Sequence, residues 1–243
     1  MNVMTGELDG SIRHAVWQGV ERCLGTDGSG HGVDHVERVY ELSMRFCDHY
    51  PDVGREVVAL SAMLHDVDDY KLVGRDKAMR LQNATEIMES VGIDEQMQVA
   101  VRGIVATMGY SKVLRGIRPS TLEGAIVSDA DMCDAIGANG ITRALMYAVS
   151  DKGSGVVFDR NIFPLINLTA DQYNGDGTTR RRDSFINHFF EKLLKVKGLM
   201  MTEPGQQEAV ERDGLMVDFL DLYFREQDAP EWSRLLEDYI ARR

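Results

Sequence analysis

The run Val57-Val58-Ala59-Leu60-Ser61-Ala62-Met63-Leu64 carries no charge and stops abruptly at His65-Asp66. So apolar a stretch predicts a buried helix beginning near Pro51-Asp52. Its closing sequence, His65-Asp66-Val67-Asp68-Asp69-Tyr70-Lys71, sets one imidazole, three carboxylates and one ammonium within seven residues. A buried helix that ends this way delivers polar groups close to the interior, where charges must be paired or bound to metal. A divalent ion would satisfy His65 and Asp66 together. The competing reading is a helix end that emerges into water with its charges hydrated.

A second apolar helix behaves the same way. Ser120 and Glu123 form a capping-box pattern. Leu122, Ala125, Ile126 and Val127 then run directly into Ser128-Asp129-Ala130-Asp131-Met132-Cys133-Asp134. A third contribution comes from His31-Gly32-Val33-Asp34-His35, ahead of the stripe Val36, Val39, Tyr40, Ser43, Phe46 and Cys47. His35 lies in the first turn beside that core-facing stripe, so it can reach the interior. His31 either supports the same site or caps the helix.

Elsewhere the apolar spacing keeps to three and four. It predicts helices over 8–24, 76–91, 94–108, 138–149, 184–200, 206–226 and 232–239. Residues 150–182 show no sustained period and read as a lid, a binding loop or a disordered segment. Within it, Val156-Val157-Phe158 and Ile162 to Ile166 should pack down. No strand alternation persists. The expectation is an all-α single domain over 1–243, with a core at about 30–150 and a C-terminal helical part at about 183–243.

Composition narrows the function. A net charge of −12 argues against a nucleic-acid polymer or an anionic membrane as partner. It leaves room for a small anionic substrate, because a bound cation reverses the field within one pocket. Cys23, Cys47 and Cys133 form no CxxC, which suits buried thiols in a reducing cytoplasm. The acidic N-terminus does not read as a signal peptide, and no run nears the ~18 apolar residues that span a membrane.

His35, His65, Asp66 and Asp131 therefore stand out, two imidazoles and two carboxylates from three distant helices. Such a set suits one divalent ion, with Mn²⁺, Mg²⁺, Fe²⁺, Co²⁺, Ni²⁺ and Zn²⁺ as candidates. An ion with open coordination positions polarises a phosphoryl oxygen and lowers the pKa of bound water.

The order H…HD…D resembles the HD-domain metal-dependent phosphohydrolase superfamily, and within it a subgroup of stand-alone bacterial hydrolases. The matching stretches are His31 to Val39, Leu64 to Lys71, Asp129 to Ala138 and His188 to Lys195. The resemblance implies an HD-domain helical bundle with one mononuclear metal site held by His35, His65, Asp66 and Asp131. It implies hydrolysis of a nucleotide or related small phosphate compound, with nucleoside triphosphate pyrophosphohydrolysis among the expected activities; the alternatives are a nucleotidase or phosphodiesterase acting on another nucleotide or alarmone, and a metal- or nucleotide-binding regulatory protein without turnover. It makes Asp69, four residues after the HD histidine, the candidate for orienting or deprotonating the attacking water, with Asp68 as competitor. Asp129 stays an alternative to Asp131. Met132 stands where relatives usually carry a basic residue. None of the six histidines lies between Asp66 and Asp131, where two-metal relatives place extra ones. That favours a single ion.

Substrate phosphate needs cations besides the metal. The candidates are Lys71, Lys112, Arg143, Lys192 and Lys195, while Arg180-Arg181-Arg182 reads as a solvated run. The sequence leaves the oligomeric state open, a homo-oligomer included.

Overall fold

The structure is a computed structural model. It describes residues 6–25, 32–151, 153–174 and 183–243, without the side chains of Lys71, Arg75 and Asn174. His31 and Arg180 to Arg182 lie outside the described residues. The ordered elements are all helical, as expected, with no strand among the described residues. The chain divides into two compact units, Met1–Asp131 and Met132–Arg243.

The first unit opens with α1 (Gly10–Leu24), started by Asp9, whose carboxylate accepts from the Ser11 and Ile12 backbones. Val16, Val20 and Leu24, four apart, are its buried face. Next come α2 (Val33–Cys47) and α3 (Arg55–Leu64), which pack on each other. From Val58 to Leu64 every side chain of α3 is buried. Leu60, Met63 and Leu64 share a core with Val36, Met88 and Val101. Truncating one of these to alanine would cost about 2–5 kcal/mol. Gly19 brings α1 close to its neighbour, because a Cβ there would stand 2.8 Å from Ile87 Cγ1.

The expected helix over 76–91 is broken. It becomes α5 (Arg75–Arg80) and α6 (Gln82–Ser90), after a short α4 (Tyr70–Val73). Leu81 between them is left-handed, at φ 49°. The cause lies upstream. Asp68 Oδ1 and Oδ2 accept the Asn83 and Ala84 amides at 3.0 and 2.9 Å. In an unbroken helix those amides would bond to the preceding turn.

Helix α7 (Glu95–Val105), short α8 (Tyr110–Val113) and α9 (Leu122–Asp134) follow. The Ser120–Glu123 capping box is not formed. Thr121 is the cap, its Oγ1 accepting the Gly124 amide at 3.1 Å. Glu123 instead reaches Gly54, whose amide donates to Oε1 at 3.1 Å. Gly54 has no side chain with which to cap α3, and a Cβ there would approach Glu123 Oε1 to 3.4 Å. The carboxylate thus sits at the N-terminus of the helix that carries His65-Asp66, where the backbone dipole favours it. It braces α3 against α9, which carries Asp131.

In the second unit, α10 (Gly137–Val149) packs on α12 (Phe185–Glu191) and α13 (Glu203–Glu226), and α14 (Pro230–Ala241) on α13. A short α11 (Ala170–Asn174) precedes α12. The helix expected over 184–200 stops at Lys192 (φ −139°, ψ −62°) and resumes as a 3₁₀ segment, Leu193–Leu199. The tighter winding keeps Leu193 and Val196 on one buried row. Parts of 150–174 pack down as anticipated. Val156 O accepts the Phe185 amide at 2.9 Å, and Glu191 Oε1 accepts that of Leu165 at 2.9 Å. Phe158, Phe190 and Phe224 surround fully buried Trp232.

Candidate metal centre

All four groups of the sequence constellation fall in the first unit. His35 enters from the first turn of α2, 1% exposed. His65 caps the C-terminal end of α3, still in right-handed helical geometry, so Asp66 continues the turn. His65 Nδ1 stands 2.8 Å from the Ala62 carbonyl. A carbonyl only accepts, so Nδ1 carries a proton, and Nε2 is the ring nitrogen directed away from the helix. Ring orientation by a backbone carbonyl is how metal-binding imidazoles are usually held.

The ligand atoms of His35, His65 and Asp66 all lie within 4.8 Å of one another, and Asp131 adjoins the group through the two imidazoles. The two Nε2 atoms are 3.2 Å apart. Asp66 Oδ2 lies 3.5 Å from His35 Nε2 and 3.6 Å from His65 Nε2. Asp131 Oδ1 lies 3.4 and 3.8 Å from the same two atoms. Neighbouring ligands about 2.0–2.2 Å from a common ion stand about 3–3.6 Å apart, so these side chains fit a divalent cation in spacing and donor type. Both imidazoles are almost fully buried, whereas the side chains of Asp66 and Asp131 are 16% and 22% exposed. The cluster is therefore open on its carboxylate side. Burial pushes the Asp131 carboxyl up, but the hydrogen bond to His35 and the neighbouring imidazoles outweigh it and hold the group below its ordinary value.

Asp129 lies two residues earlier on α9, about 200° around the helix, and is buried on another side. The two candidate bases differ. Both oxygens of Asp68 serve the α6 amides, and burial holds its carboxyl above the usual range. That corrects the expectation that Asp68 competes for the attacking water. Asp69 is partly buried, with its amide donating to Asp66 O at 3.1 Å.

The proposed phosphate cations fare unevenly. Lys71 sits on α4 with its side chain outside the described residues, and Lys112 is half-buried on α8. The other three belong to the second unit and have partners there. Arg143 Nη1 binds buried Asp134 Oδ2 at 2.7 Å, so its charge is already neutralised, contrary to the sequence reading. Lys195 Nζ donates to the Ile166 carbonyl, and burial lowers its pKa. Lys192 Nζ lies 5.9 Å from the Tyr173 ring centre. Sequence reasoning missed Glu123 and the Ala62 carbonyl. Only the Glu123 side chain left a trace in sequence, and the capping-box pattern assigned it elsewhere.

No family model matches the chain. YpgQ of Bacillus subtilis is 30% identical over 207 residues, 83% of this chain and 86% of that one. A solved protein from Lactobacillus plantarum matches with a TM-score of 0.75 at 32% identity, over 91% of this chain and 99% of that one. An HD-superfamily hydrolase from Bacillus thuringiensis matches at 0.66 and 28%, over 90% and 97%. YpgQ itself, solved in complex with ADP, superposes at 0.61 with 25% identity, over 89% and 96%. With the H…HD…D residues gathered in one cluster, these likenesses give the fold, the chemistry and the kinship together: the chain belongs to the HD superfamily of metal-dependent phosphohydrolases, in the family of YpgQ.

Proposed function

We propose that the chain hydrolyses a nucleotide, with pyrophosphate release from a nucleoside triphosphate as the leading reaction. The observation that carries this reading is the meeting of His35, His65, Asp66 and Asp131 within 3.8 Å of shared imidazole nitrogens, open on one side. The ADP held by YpgQ supports a nucleotide over other phosphate compounds. The length of the match supports one hydrolase domain across residues 1–243.

In this reading the four side chains hold one divalent cation, from the set Mn²⁺, Mg²⁺, Co²⁺, Ni²⁺, Fe²⁺ and Zn²⁺. When bound, it supplies Lewis acidity toward a phosphoryl oxygen and acidifies water. The Ala62 carbonyl fixes the His65 tautomer. Asp69 takes a proton as water oxygen bonds to phosphorus and the phosphoanhydride P–O bond breaks. Lys71 and Lys112 are the first-unit candidates for neutralising the remaining phosphate charge.

The test is turnover. Metal-stripped protein, reloaded with each cation, is offered a nucleotide panel while phosphate and pyrophosphate are separated. Pyrophosphate from a triphosphate is expected. Phosphate from monophosphates would replace the reading with a nucleotidase, and no release from any nucleotide would overturn the substrate class.

A further inference from the structure

The first unit contains a hollow that the hydrolytic reading does not use. Its volume is about 390 Å³, and its walls include Arg13 of α1, Tyr40, Glu41 and Arg45 of α2, and Arg55 of α3, with Glu7 at the rim. None of the four clustered metal-site residues lines it. On α2, His35 and Met44, another wall residue, are nine positions apart, about half a turn out of phase. The hollow therefore opens on the face of the helix opposite the metal cluster.

Three guanidinium groups from three helices are an unusual concentration in a chain with 27 basic and 39 acidic residues. None of the three is without a partner. Arg13 Nη1 donates to the Tyr40 hydroxyl at 3.5 Å, and Arg55 Nη1 to Asp48 at 2.9 Å. Arg55 Nε, by contrast, is buried with no hydrogen-bond partner among the described residues. The guanidinium as a whole is paired with Asp48 and its side chain is 24% exposed, so its remaining donors are the ones open to a ligand. The forked donors of arginine match a phosphate or carboxylate. Glu7 and Glu41 refine the choice, since carboxylates in the same walls accept from hydroxyl or amino groups. The volume is that of a small-metabolite pocket.

We propose that this hollow binds a small phosphorylated metabolite bearing hydroxyl donors, its phosphate toward Arg13, Arg45 and Arg55 and its hydroxyls toward Glu7 and Glu41. The site is independent of the metal centre and of the proposed reaction, so its test needs no turnover. Ribose 5-phosphate is titrated calorimetrically into the full, metal-stripped chain. One molecule per chain is expected to bind, with affinity falling at least about tenfold in Arg13→Glu and Arg55→Gln and unchanged in Asp66→Ala. Arg13 is exposed, so its variant keeps the fold even if Arg55→Gln does not. Binding that survives Arg13→Glu, that disappears in Asp66→Ala, or that is absent at millimolar ligand would overturn the proposal.

Discussion

The Asp131 cluster of the first unit and the acidic groups of the second treat buried charge in opposite ways. In the second, acidic groups are answered by the chain itself. Asp213 lies between Lys197 at 2.9 Å and Arg243 at 2.6 Å. Asp134 holds Arg143, and Glu191 takes the Leu165 amide. In the first, the ion-pair neighbours of Asp131 are two imidazoles, those of His35 and His65. A carboxylate closed by lysine and arginine is a fastening. Carboxylates gathered with imidazoles, whose ring nitrogens can give up a proton and ligate, make a receptor for a cation supplied from outside. Acidic residues near apolar helix ends therefore say little until their partners are known.

The sharpest way to break this contrast is Asp66→Ala. It should abolish metal content, measured by elemental analysis, and lower turnover more than about 1000-fold, with the fold intact by circular dichroism. Retained turnover would sink the ligand assignment. Asp213→Ala should do the reverse. It leaves Lys197 and Arg243 facing each other and should cost about 3 kcal/mol in urea unfolding, while metal per folded chain stays the same. Arg143→Met separates sequence from structure. With the buried Asp134 carboxylate deprived of its 2.7 Å guanidinium contact, stability should fall by about 2 kcal/mol without a change in KM. A higher KM at unchanged stability would restore the phosphate-clamp reading. The smallest effect belongs to Glu123→Ala. Losing the cap should cost about 1 kcal/mol and weaken metal binding a few-fold in a chelator competition. Glu123→Gln should rescue both, because an amide oxygen still accepts from Gly54.

What was legible in the sequence was whatever short-range pattern determines. The helix with Val58 to Leu64 buried needs no distant information, and neither does the placing of His65-Asp66 at its end. Helical periodicity put His35 on an inward face, and resemblance selected Asp131 over Asp129. The misses share one cause, a long-range polar partner. Nothing near Leu81 foretells a left-handed break, because its cause is Asp68, fifteen residues before Asn83. Glu123 satisfied a local capping rule on paper, yet its carboxylate is taken by Gly54, sixty-nine residues away. Arg143 and Lys195 looked available because Asp134 and the Ile166 carbonyl were invisible as partners. Apolar pattern is read locally, but polar groups are assigned by whichever acceptor the fold brings within 3 Å.

The aromatic packing has an optical consequence. The chain has two tryptophans, and each unit holds one. Trp17 is only partly buried and meets Tyr40 edge-on, with ring centres 5.9 Å apart. Trp232 is wholly enclosed, stacked on Phe163 at 5.1 Å, with its indole N–H on the Arg160 carbonyl. Their emission should differ in colour, blue from the enclosed ring and redder from the wetter one. A Trp17→Phe or Trp232→Phe protein becomes a single-lamp reporter of one half of the chain. Coincident denaturation curves from the two would mean that the halves melt as a single cooperative body, and separated curves that each keeps its own melting point.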